Sequence, residues 1–248
     1  IDGRKALVWY LEPGAEVTGA ASTTVPFGTV LVITAQADGA GNSAFPANMI
    51  NKPFIVNKSE GLSVSKATDK WKVLKPYFIG MATDKSVSKS KNTSDITVDA
   101  DAQTNNVSDG IISTSGSLSI MYSVDGKGYA STFIKQRFGA IDIYGDTGFV
   151  ETLESATDEK DLLLFAWNAR DAKDNDMIEF EVIPALITSL NHSSSYGSPQ
   201  SMDIDFTGNA ADENGYEARV MDIPGGKAVL SKLAKDRAGM DKDANPSA

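Results

Sequence analysis

The sequence predicts a mainly β protein, an antiparallel β-sandwich with a flanking α-helix. Three observations lead there. Short apolar runs are separated by abundant Gly, Ser, Thr, Asn and Asp over 248 residues, the texture of many strands joined by turns. Three segments, 115–124, 177–190 and 199–208, alternate apolar and polar residues with the period of a half-buried strand. One segment, Asp158 to Ala169, instead carries the spacing of an amphipathic helix.

Taken in order, "RKALVWYLEPG" reads as a strand closed by Pro13–Gly14, and Thr29 to Ala35 as a β-branched strand followed by a Gly-rich loop. Residues 36–60 read as a long irregular loop punctuated by Pro46 and Pro53. "WKVLKPYFIGMA" is apolar and broken by Pro76. Residues 83–110, "DKSVSKSKNTSD" through "DADAQTNNVSDG", are polar enough to predict a long exposed loop or an insertion around a weak hairpin. In "SGSLSIMYSV", Leu118, Ile120 and Tyr122 share one strand face against Ser117, Ser119 and Met121. "YASTFIKQRFG" fits a short helix or a strand, and "AIDIYG" a short strand.

The helix expected over 158–169 has Ser155 and Asp158 as a capping box and Asp158 and Glu159 at the positive end of its dipole. Leu162, Phe165, Ala166 and Ala169 form its stripe. After "IPGG", residues 227–240 predict a second amphipathic helix built on Val229, Leu230 and Leu233. The organisation is one β domain over 1–222 and a C-terminal helical arm and tail over 223–248.

In "MIEFEVIPALITSL", Ile178, Phe180 and Val182 fall on one strand face and Glu179 and Glu181 on the other. In "MDIDFTG", Met202, Ile204 and Phe206 oppose Asp203 and Asp205. If the two strands pair with these faces matched, one sheet face is apolar and the other carries four carboxylates. Like charges across a ladder cost roughly 0.2–1 kcal/mol per pair, so such a face must look onto water.

Composition excludes several functions. A net charge of −10 opposes phosphate binding. There is no cysteine and one histidine, His192, which removes thiol chemistry and multi-histidine metal sites. No apolar run approaches the roughly 18–20 residues that span a bilayer as a helix. The start does not read as a signal peptide, and a soluble protein made in a cytoplasm is expected. His192 beside Ser193, Ser194 and Ser195 lacks a nucleophile elbow, so no triad is expected. The paired acids lack the aromatic platforms of a glycosidase. "DIDFTGNAADEN" opens like a calcium loop, yet its twelfth position is Asn214. No nucleotide-binding motif is present. No enzyme, metal or cofactor is expected.

The order of elements, together with "FEVIPALITSLNHSSSYGSPQSMDIDFTGNA", resembles the tail tube proteins of long-tailed bacteriophages over Ser115 to Val220. The shared pattern is a long strand, a Ser/Gly/Pro-rich connection, and a returning strand ending in F-T-G. That resemblance implies a virion structural protein, assembled in the host cytoplasm. Its β-sandwich subunits form hexameric rings, with strands closing into a barrel across subunits, and the rings stack into a conduit for DNA ejection. Its partners would be itself and other tail proteins, with DNA passing through unbound and no membrane. Glu179, Glu181, Asp203 and Asp205 then become lumen candidates, since a hydrated acidic wall repels phosphate. Val229, Leu230 and Leu233 become candidates for contact with a neighbouring subunit, the alternative being a helix packed on its own domain. Two other functions fit the same texture: a non-catalytic adhesin or carbohydrate-binding module, and a different virion component such as a tail terminator or decoration protein. A sugar binder would need exposed aromatics, and Trp9, Trp71 and Trp167 are scattered.

Overall fold

The computed structural model describes residues 6–20, 23–36, 43–97, 104–121, 140–144, 148–152, 160–168, 177–193 and 201–233. Among them lie thirteen strands: β1 (Ala6–Thr18), β2 (Thr23–Val25), β3 (Val30–Ala35), β4 (Pro53–Ile55), β5 (Leu62–Val64), β6 (Lys70–Thr97), β7 (Thr104–Met121), β8 (Ala140–Tyr144), β9 (Gly148–Thr152), β10 (Asp161–Asn168), β11 (Ile178–Ser193), β12 (Ser201–Gly208) and β13 (Arg219–Ile223). One helix, α1, covers 226–233.

Nine strands form one antiparallel sheet in the order β1-β10-β11-β12-β7-β6-β3-β4, with β13 also on β11. It curls strongly into a half-barrel. Because β1 pairs β6 as well as β10, the strand path β1-β10-β11-β12-β7-β6 returns to its start. Each of those six strands sends side chains into one shared core: Val8, Ile79, Leu118, Phe165, Ile183 and Phe206 are examples. A second core lies on the other face of β1, β10 and β11. There Trp9, Leu164 and Phe180 pack with Val32, Ile55, Met221 and α1. A third joins β3 and β6 to the small β2–β5 sheet through Ile33, Trp71 and Val64.

The mainly β, antiparallel class expected from the sequence is the class observed, and among the described residues the one flanking helix is α1. The helix expected over 158–169 is corrected: Asp161–Asn168 is strand β10. Its Leu162, Leu164 and Ala166 enter one core and Leu163 and Phe165 the other. A strand covered on both faces loses its polar alternation and reads as an unbroken apolar run, which also satisfies a helical stripe. Ser155, Asp158 and Ala169 lie outside the described residues, as do "YASTFIKQRFG" and the tail beyond 233.

Two prolines read as strand ends are accommodated. β1 continues past Pro13 through a register shift between Pro13 and Glu16, a bulge that absorbs the missing donor. Pro76 pairs with Leu11 at a point where β6 has β1 on one side only, since β3 reaches Val73 and β7 begins at Met81. Its absent N–H therefore breaks no second ladder. The polar stretch 83–110 is largely strand. β6 runs on to Thr97 and β7 returns from Thr104, paired from Met81↔Met121 out to Thr97↔Thr104. Within 36–60, β4 pairs with β3, and Asn51 N–H donates to Ile33 O at 2.7 Å.

Candidate functional site

The four acids do not share a face. In β11, Ile178, Phe180 and Val182 enter the core that holds α1, whereas Ile183, Ala185 and Ile187 enter the half-barrel core. Glu179 and Glu181 share the parity of the second set. Glu181 is 5% exposed, and its register neighbours are Phe165 and Val220. Glu179 is half-buried between Trp167 and Asp222 in register.

Asp203 and Asp205 point the other way. Met202, Ile204 and Phe206 of β12 enter the half-barrel core, and the strand alternates buried and exposed along its whole length. The expectation of one four-carboxylate face is therefore corrected. The apolar halves of the two strands serve opposite cores, and the register Ala185↔Gly208 to Ser193↔Ser201 sets β12 against the far end of β11. Identical alternation in two strands says nothing about which faces match until register is known. One residue, Thr188, is extra between the pairs Ile187↔Phe206 and Ser189↔Asp205. This bulge turns Ser189 and Asn191 onto the aspartate side.

The aspartates sit on a hydrophilic surface built by four strands. One row across it is Ser119, Asp203 and Asn191, the next is Ser86, Ser117, Asp205 and Ser189, and Ser88, Ser115 and Thr207 continue it. Ser86, Ser88, Ser115, Ser117, Asp203, Asp205 and Thr207 are exposed. The Ser119 hydroxyl donates to Asp203 Oδ1, and the Ser189 hydroxyl to Asp205 Oδ2 at 2.6 Å. Cross-strand hydroxyls thus fix both carboxylates while leaving them in contact with water. Sequence reading identified Asp203 and Asp205 but missed the serines of β6, whose alternation in "KSVSKSKN" was the available signal.

Elsewhere the charges tie strands together. Glu16 accepts from the Thr34 hydroxyl at 2.9 Å and pairs with Lys70 at 3.4 Å. The Thr34 hydrogen bond, ahead of Lys70, holds this carboxyl below its ordinary pKa. Arg219 on β13 donates to Pro53 O at 2.9 Å and lies 3.1 Å from Met49 Sδ, and desolvation lowers its pKa. Neither arrangement has the acid, base and cavity of a catalytic site. No group of three metal-ligating side chains occurs among the described residues. The segment that opened like a calcium loop is extended strand through Gly208. His192 lies on β11 opposite Met202 in register.

Val229, Leu230 and Leu233 are buried in their own chain's core with Ile178 and Tyr216. Of the two placements open for this segment, the structure takes packing on its own domain. Gly226 makes the approach of α1 possible, since a Cβ there would lie 2.7 Å from Ile178 Cβ. Trp9 and Trp71 are buried and Trp167 is half-buried, so no tryptophan stands out as a sugar platform.

No protein-family model matches the chain, and no curated protein matches it. Among solved structures, it is similar to a chain in the virion of a native gene transfer agent particle, with TM-score 0.35 and 14% identity over 59% of this chain and 88% of that one. It is also similar to a chain in the tail of an empty gene transfer agent particle of C6 symmetry, with TM-score 0.33 and 14% identity over 55% and 83%.

Proposed function

We propose that this chain is a non-catalytic structural subunit of a virion, a tail tube protein whose copies form stacked rings around a DNA channel. The observation that carries the reading is the four-strand Ser/Asp surface on β11, β12, β7 and β6, backed by the half-barrel core. Among the described residues, its carboxylates are held by hydroxyls. Such a wall offers DNA no counterion-releasing contact and repels phosphate. Asp203 and Asp205 are the charged residues of this reading, and Glu181, buried at 5% exposure, is left out of it. The sequence resemblance supports the same role through its long strand, connection and returning strand, although its helix at 158–169 is a strand here. Ring closure follows as a heterologous contact that repeats by rotation.

Negative-stain electron microscopy of the concentrated protein tests this directly. Rings or hollow tubes are the expected result, and monodisperse small particles at every concentration would remove the tube assignment. In assembled tubes, Asp203→Lys with Asp205→Lys should make DNA adhere, with adhesion falling steeply as salt rises.

A further inference from the structure

The excursion between β12 and β13, residues 209–218, carries the only Asn-Gly pair in the sequence, Asn214–Gly215. That pair is chemically special. The backbone nitrogen of the following residue attacks Asn Cγ, a new C–N bond closes a five-membered succinimide, and ammonia leaves. Glycine, without a side chain, hinders this least. Water then opens the ring to aspartate or to isoaspartate, which carries an extra methylene in the main chain. No oxidant or other reagent is needed.

Asn214 is exposed, so water reaches it. The turn around it nevertheless opposes the attack. Gly215 N–H, the nucleophile, donates to Asp212 O at 3.0 Å. Asn214 Nδ2, the leaving nitrogen, points back to Asp212 Oδ2 at 3.3 Å. Asp212 Oδ1 accepts from Asn214 N–H at 2.9 Å and from Tyr216 N–H at 2.7 Å. Gly215 takes φ +79°, a conformation closed to most side chains. Tyr216 anchors the turn in the core at 3% exposure, and Glu217 N–H donates to Asn51 O at 2.8 Å.

We infer that Asn214–Gly215 is a latent succinimide site, held shut by Asp212 and released when the 209–218 excursion opens. Aspartate or isoaspartate at 214 would set a second carboxylate against Asp212, beside Glu213 and Glu217, and isoaspartate would lengthen the turn that seats Tyr216. Conversion therefore makes each opening harder to reverse. The inference is independent of any role in a tail.

The test is peptide mapping of the full chain for deamidated and isoaspartyl products spanning 209–218, during incubation in mildly alkaline buffer. The native protein should convert about tenfold or more slowly than the same chain in denaturant, because reaction requires local opening. Equal rates would overturn the inference. Asp212→Ala, with its native circular dichroism retained, should convert faster than wild type; an unchanged rate would remove Asp212 from the lock. Should Asp212→Ala unfold, Asp212→Asn takes its place with the same readout, since it keeps Oδ1 but loses the Oδ2 acceptor.

Discussion

The first half of β11 and the whole of β12 belong to one sheet, yet they live in different environments. β11 serves two cores in turn, with Ile178, Phe180 and Val182 in one and Ile183, Ala185 and Ile187 on the opposite face in the other. β12 has a core on one side only, and Asp203, Asp205 and Thr207 meet water on the other. The difference shows where this chain keeps its stability and where it keeps a surface free for function. Doubly covered strands can vary neither face without loss, whereas a singly covered strand can devote one whole face to charge and hydroxyls at little cost to the fold.

Parity of mutational cost is the sharpest way to break that contrast. Phe180→Ala and Ile183→Ala lie on opposite faces of β11, and both should be severe: about 3–5 and 2–5 kcal/mol by denaturant midpoint, from lost burial plus the cavity left behind. A mild result at either position would show that one core is not closed.

The middle-sized effect is expected at the seam between core and surface. Gly116 lies opposite Phe206 in register, and a Cβ there would collide with the Phe206 ring and approach Ser86 O to 2.8 Å. Phe206 cannot easily yield, because it stacks on Phe165 with centroids 6.2 Å apart. Gly116→Ala should cost about 1–3 kcal/mol through overpacking. Its phenylalanine near-ultraviolet signal should change as the stack shifts.

The smallest effect belongs to the exposed side of β12. Asp203→Asn with Asp205→Asn should move the unfolding midpoint by no more than the equivalent of about 0.5 kcal/mol. A large loss would mean that the Ser119 and Ser189 hydrogen bonds are structural, and that the face is not free to serve a partner or a channel.

How much of this was legible follows from the same contrast. β12 and the Ser115–Ile120 part of β7 alternate cleanly, and their exposed residues could be named from sequence because one face of each meets water. β10 could not be recognised. Its "DLLLFAWN" is buried on both faces, and an unbroken apolar run satisfies helix and strand patterns equally. β6 was hidden for the opposite reason. Its outer part is so polar that only a serine alternation marked it as strand.

By itself, then, the sequence determined a β-rich antiparallel chain, an anionic surface, the aspartates of β12 and the apolar stripe of α1. These depend on local period and composition, which a linear reading contains. Only the tertiary structure decided that Glu179 and Glu181 turn away from Asp203 and Asp205, that Leu162 to Ala166 form a strand, and that serines from distant segments complete the aspartate face. Those outcomes depend on register, on a one-residue bulge at Thr188, and on how many cores a strand must serve. Each is a relation between segments far apart in sequence, and no single segment encodes it.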